Sequence, residues 1–159
     1  MRARKIFITI LFALAGCVST PVHVASDLEA RAVPGSASPG QATIYVYRGP
    51  SGAGAMWPFA VLVDDVEVGS IRSERYLPTN VTPGTHTIAV HCKGMCDLPD
   101  IAVQGSFLPD RSYHFLTDPD IRFGVGQSTF TSTLLQVEPT QVPALQRAYS
   151  VGKSAGAEN

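Results

Sequence analysis

Between Ala42 and Val137 the chain is cut by Gly, Pro and Asp into short runs of β-branched and aromatic residues, and no stretch holds a long 3.6-residue apolar period. This pattern excludes a helical bundle and calls for sheets with one buried face. The first run, Ala42-Thr43-Ile44-Tyr45-Val46-Tyr47-Arg48, is closed by Gly49-Pro50. Residues 59–64 and 65–72 meet at Asp64-Asp65 and read as a hairpin. A tight type I′ turn favours Gly, which is missing there, so the loop is expected to be longer or bulged. Residues 75–81 contain Pro78 and read as an edge segment, while Pro83-Gly84 suits a type II turn. In the next run His86, Ile88, Val90 and Cys92 share the expected core face, with Thr85, Thr87, Ala89 and His91 opposite. Residues 101–107, 112–117 and 132–137 continue the spacing, and His114, sharing a face with Ser112 and Leu116, reads as half-exposed. Residues 140–149 suit a short helix with Thr140 as N-cap, Pro143 in the first turn, and Val142, Leu145 and Tyr149 on one stripe. The expected fold is mostly β: an antiparallel β-sandwich of about seven to nine short strands with one short C-terminal helix. It occupies residues 42–149, and residues 150–159 read as a disordered tail.

Ahead of this domain, residues 1–16 form a signal peptide: Arg2, Arg4 and Lys5, then an apolar run, then small residues. That run is about half the roughly 20 residues a membrane-spanning helix needs. Leu14-Ala15-Gly16-Cys17 resembles the lipobox of bacterial lipoproteins. The resemblance implies that Cys17 is acylated and becomes the first mature residue. Cleavage after Ala13-Leu14-Ala15, giving a soluble protein, is the competing reading. Val18, rather than Asp, follows Cys17. By resemblance to enterobacterial-type sorting this implies the cell outer membrane, with the protein facing the periplasm. Residues 17–41, rich in Ser, Ala, Pro and Gly, read as a flexible tether, with Thr20-Pro21-Val22-His23-Val24 as an alternative edge strand.

The chain has 12 Lys+Arg against 13 Asp+Glu and no basic block, which argues against nucleic acid as a partner. Loss of the three leader cations leaves the mature protein near −4.

Chemistry-bearing motifs are few. There is no G-x-S-x-G elbow, H-E-x-x-H pair or dinucleotide-binding glycine pattern, so no catalytic residue or cofactor is expected. In Cys92-Lys93-Gly94-Met95-Cys96 the two cysteines flank a Gly-containing spacer, and an oxidising compartment favours a disulfide. The alternative is a copper site from His91, Cys92, Met95 and Cys96, whose soft donors suit Cu(I), although His91 and Cys92 fall on opposite strand faces. Asp64 and Asp65 read as an acidic turn before a cation site. His23 and His86 have no local partner in sequence. Met56, Trp57 and Phe59, beside a Gly-rich loop at residues 49–58, form a candidate partner-binding loop. There Trp57 either stacks on sugar or peptide or plugs the end of the sandwich.

The first run, Val61-x-Val63-Asp64 with Val68-Gly69-x-Ile71, Val81-x-Pro83-Gly84-x-His86-x-Ile88, the later Tyr113-x-Phe115 and the closing helix together resemble a family of bacterial lipoproteins carrying domain of unknown function 2846. The resemblance covers most of residues 42–149 and implies fold and address while transferring no catalytic residue. The expected role is a non-enzymatic binding or structural module of the cell envelope, with an envelope protein or polysaccharide as partner. A copper-handling lipoprotein is the alternative.

Overall fold

The period-two runs pair into two sheets that pack face to face. The computed structural model describes residues 22–24, 28, 30–34, 37–50, 57–94, 100–124 and 127–154. In chain order the elements are β1 (Val22–Val24), β2 (Val33–Pro34), β3 (Ala42–Arg48), β4 (Phe59–Val63), β5 (Val66–Ile71), β6 (Arg75–Val81), β7 (Gly84–Cys92), β8 (Ile101–Phe107), β9 (Arg111–Gly124), β10 (Gln127–Gln136), α1 (Val142–Ala148), β11 (Ser150–Val151) and β12 (Lys153–Ser154). The first sheet has the order β1-β8-β7-β4-β5-β12; the second is β10-β9-β3-β6-β11, with β2 also on β9. β3 to β10 match the expected number of strands, and the other four are pieces of two or three residues. Pairing is antiparallel except for β1 with β8, β3 with β9 and β6 with β11. The central parallel pair arises because β3 and β9 are far apart in sequence, and the strands between them supply the long crossover that parallel pairing requires.

The inner faces supply the core: Ile44 and Val46 from β3, Phe59 and Val61 from β4, Ile88 and Val90 from β7, Phe107 from β8, and Tyr113 and Phe115 from β9. The Phe107 ring meets Tyr113 edge-on, with centroids 4.8 Å apart. β7 alternates as expected, with Ile88, Val90 and Cys92 buried and His91 exposed.

Several local expectations are corrected. The β4–β5 turn is tight: Val63 pairs with Val66, and Asp64 and Asp65 take φ of +49° and +66°. Asp tolerates this left-handed region. Here Asp64 is also fixed to β7: its Oδ1 accepts the Thr87 N–H at 2.8 Å, and its own N–H donates to Thr87 O at 2.9 Å. The bulge lies inside the strands instead, between Val61 and Leu62. Gly84, at φ +146°, opens β7 as the chain passes from the second sheet to the first, and does not take the value of about +80° that a type II turn requires. The helix N-cap is Gln141, not Thr140, without a side-chain capping bond.

Both ends of the domain depart from the tether and tail readings, and β1 is the alternative edge strand expected at Val22-His23-Val24. Part of the segment read as a tether is docked: β1 lies along β8, β2 along β9, and buried Leu28 packs so closely over Gly105 that a Cβ there would meet Leu28 Cδ1 at 2.4 Å. β1 begins five residues after Cys17, a stretch that spans at most about 18 Å. At the other end, part of the expected tail laces the two sheets together. β11 extends the second sheet along β6, Gly152 crosses over, and β12 extends the first sheet along β5. A Cβ at residue 152 would lie 2.8 Å from Ser70 O, so the crossing passes where a side chain would not fit.

Candidate functional site

The outer face of the second sheet carries the densest grouping of aromatic and titratable side chains among the described residues. Strand register builds it. Tyr45 of β3 sits opposite His114 of β9 and Pro78 of β6, while Tyr47 sits opposite Leu116 and Tyr76. Period-two alternation sends all of these away from the core. The Tyr45 ring stacks on His114 at 4.6 Å and 8°, and Tyr47 lies 5.3 Å from Tyr76. α1 turns the chain back so that Gln146 reaches the Tyr47 hydroxyl and Tyr149 closes on Tyr47 at 6.0 Å. Tyr47 and His114 are thereby buried, and Tyr45, Tyr76 and Tyr149 remain half-exposed around them.

His114 is a correction to the sequence reading, being 1% exposed and fully partnered. Its Nδ1 is 3.0 Å from Tyr47 Oη and its Nε2 is 3.0 Å from Ser112 Oγ, which lies 3.4 Å from Val33 O. One proton arrangement satisfies the whole chain. Gln146 donates to Tyr47, Tyr47 donates to Nδ1, Nε2–H donates to Ser112, and Ser112 donates to the Val33 carbonyl. This arrangement needs a neutral imidazole, and burial accordingly lowers the His114 pKa to about 4. Burial likewise raises the pKa of Tyr47 and of Tyr45, with the neighbouring tyrosines adding to the effect.

This proton order bears on chemistry. A serine nucleophile must give its proton to an unprotonated imidazole nitrogen, whereas here Nε2 holds a proton and Ser112 points to a carbonyl. Ser112 is also fully buried. The cluster is held by hydrogen bonds and ring stacking, with hydroxyl-bearing rings at its surface.

The residues singled out in the sequence fall elsewhere. Phe59 is 2% exposed in the core, so it does not belong to a binding loop. Trp57 packs against the core cluster, and its Cδ1 lies where a Cβ on Gly94 would sit, 2.6 Å away. Buried Arg48 donates to Trp57 O at 2.5 Å and lies 4.1 Å over the Phe59 ring. Trp57 is thus partly buried, packed beside the core cluster and against Gly94. Met56, Met95, Cys96 and Cys17 lie outside the described residues. His91 is exposed and paired with Asp100 at 2.6 Å, while Cys92 is buried on the opposite face, so the structure does not bring these two candidate copper ligands together. His86 has a partner invisible in sequence. Its Nδ1 is 2.6 Å from Asp64 Oδ2 and its Nε2 is 2.8 Å from Thr82 O. Both partners are acceptors, so both bonds are made together only by the doubly protonated ring. Although burial opposes it, those hydrogen bonds and the Asp64 charge raise the His86 pKa, while the bonds from His86 and Thr87 lower that of Asp64. Among the described residues no group of three or more His, Cys, Asp or Glu side chains is placed to hold a metal ion, and no helix is long and apolar enough to cross a membrane.

Sequence reading missed the tyrosine face. Its signal was Tyr45-x-Tyr47, two aromatic residues on the polar side of a strand whose other side is aliphatic. Comparison with protein-family models, curated proteins and solved structures finds no match to this chain, so the resemblance to the lipoprotein family rests on the order of its strand motifs.

Proposed function

We propose that this chain is an outer-membrane lipoprotein, anchored through acylated Cys17 and facing the periplasm, whose β-sandwich is a non-enzymatic module that holds an envelope polysaccharide on the outer face of its second sheet. One observation carries this reading: the serine, histidine and tyrosine that resemble reactive groups are buried, while three hydroxyl-bearing rings, Tyr45, Tyr76 and Tyr149, stay half-exposed around them. Aromatic faces stack on sugar C–H surfaces, and phenol hydroxyls supply hydrogen bonds at little entropic cost. The lipobox and the resemblance to domain of unknown function 2846 lipoproteins support the address. Changing Tyr76 to Ala should lower retention of the protein on isolated envelope polysaccharide by about tenfold, the scale of one lost stacking contact. Unchanged retention, with the fold intact, would contradict the reading.

The address also supports a Cys92–Cys96 disulfide. β7 delivers Cys92 to the mouth of the β7–β8 connection, and the short spacer suits a small closed loop. The mass of the unreduced, alkylated protein is expected to show both thiols blocked from alkylation; two alkylated thiols would contradict it.

A further inference from the structure

Among the described residues the sheet edges are unequal. β1 has three residues and β11 and β12 have two each, whereas β10 has ten, and no described strand pairs with its outer side. A short edge strand guards against pairing with another chain, because it leaves few backbone groups open. β10 lacks that guard and others as well: Gln-Ser-Thr-Phe-Thr-Ser-Thr-Leu-Leu-Gln contains no charge, no Pro and no Gly.

The open part of this edge is an arm. The β3–β9 register ends at Arg48 opposite Thr117, so among the described strands residues 118–124 of β9 and 127–133 of β10 pair only with each other. A two-stranded ribbon is marginal in water and gains from a third strand. At the other end of β10 the chain already meets the edge: Arg31 donates to Gln136 O at 3.3 Å, and Gln136 Nε2 donates to Leu28 O at 3.0 Å. The two strands of the arm differ in composition. The β9 strand carries Asp118, Pro119, Asp120 and Arg122, charges and a proline that oppose strand addition. The β10 strand carries none.

Backbone direction shows what β10 offers. Val137 N–H donates to His114 O, and on the far side of β9 Gly49 N–H donates to Thr117 O. Antiparallel alternation then turns the odd-numbered residues of β10 towards β9, and the N–H and C=O of Ser128, Phe130 and Ser132 to the outer edge. These residues belong to Ser128-Thr129-Phe130-Thr131-Ser132, which reads the same in both directions. Two copies joined edge to edge about a two-fold axis pair antiparallel. A register centred on Phe130 sets Phe130 opposite Phe130, Thr129 opposite Thr131 and Ser128 opposite Ser132, with the outward N–H and C=O groups of the copies directly facing. Aromatic pairs and Thr pairs across strands are favourable, and an uncharged strand avoids the like charges that self-pairing would set opposite each other.

We propose that β10 is a self-association edge, at which a second copy of this chain adds its own β10 antiparallel through residues 128–132. The pairing stands apart from the polysaccharide reading; its consequence there is a dimer with two tyrosine faces.

The test is oxidative crosslinking of added cysteines in intact cells. The proposed register places the two Cα atoms of residue 130 about 5.5 Å apart, within disulfide range, and sets residue 133 opposite residue 127. Phe130→Cys is expected to give a dimer on a non-reducing gel, whereas Thr133→Cys and the unsubstituted chain give little or none. Adding Thr129→Lys and Thr131→Lys to Phe130→Cys sets lysine opposite lysine and should cut the dimer by about tenfold. Co-expression with a chain carrying Phe130→Cys, Thr129→Glu and Thr131→Glu should restore it as a mixed dimer, which a misfolded variant could not form. No dimer from Phe130→Cys, an equal one from Thr133→Cys, an adduct with a different protein in its place, or no restoration by the opposite charge would overturn the proposal.

Discussion

Acidification from pH 7 to pH 4 is expected to remove about 3 kcal/mol of folding stability through His114 alone. The folded ring, buried and holding a pKa of about 4, stays neutral over this range, whereas in the unfolded chain it titrates near 6.5. Between those values the unfolded state takes up a proton that the folded state refuses, so stability falls as pH falls. The loss is complete below about 4, and at 1.36 kcal/mol per pH unit it reaches about 3 kcal/mol. Two neighbouring effects fall at the two edges of this window. His86, whose folded pKa is raised, contributes stability that is fully present below 6.5 and is lost as pH rises through its folded value. Asp64, whose folded pKa is lowered, contributes stability that is lost only as pH falls below about 3.8, its ordinary value. Urea unfolding at pH 7, 5.5 and 4 should show the decline in the wild type. In His114→Gln, which is neutral throughout, the starting stability should be lower but the slope across this window largely gone. A slope unchanged in that variant would mean that His114 is not the neutral, buried group described above.

Replacing Cys17 by Ser is expected to move the protein almost entirely from the membrane fraction to the soluble periplasm. Each buried methylene contributes about 0.8 kcal/mol, a single acyl chain gives marginal, reversible binding, and two or three on one cysteine hold a protein essentially permanently. Among the described residues no helix is long and apolar enough to cross a membrane, and α1 has seven residues. The mass of the wild-type mature protein should exceed that of residues 17–159 by the acyl groups. A Ser variant that remains with the membrane, or a wild-type mass without lipid, would contradict lipid anchoring. Anchoring also bears on reach. Docking of β1 leaves a shorter leash than composition alone indicated, and holds the edge of the first sheet within about 18 Å of Cys17.

Comparison of particular elements shows why parts of this account were legible in sequence and others were not. The two faces of β7 could be assigned residue by residue, because apolar alternation records burial on the core side directly. The outer face of the second sheet could not. Tyr45, Tyr47 and Ser112 alternate as solvent-facing polar residues should, and what changes their meaning is the parallel pairing of β3 with β9 and the return of α1, neither of which leaves a local signal. His114 was misjudged on this account, since its burial depends on rings from β3 and on Ser112 beneath β2. The Asp64 turn was misjudged because composition suggested that Gly was needed, whereas bonds to Thr87 and His86, 23 and 22 residues away, hold the left-handed conformation. The lacing of the sheets by residues 150–154 was hidden because two-residue strands have no periodicity to read.

The central claim, that the tyrosine face is where the anchored module meets an envelope polysaccharide, is tested most directly by crosslinking in intact cells. A photoreactive amino acid would be placed at Tyr76 and, in a separate strain, at Thr85, an exposed position on β7 of the other sheet. The account predicts an adduct from Tyr76 that polysaccharide-cleaving enzymes collapse to the size of the protein, and little or none from Thr85. Equal crosslinking from both positions, or an adduct from Thr85 alone, would contradict it.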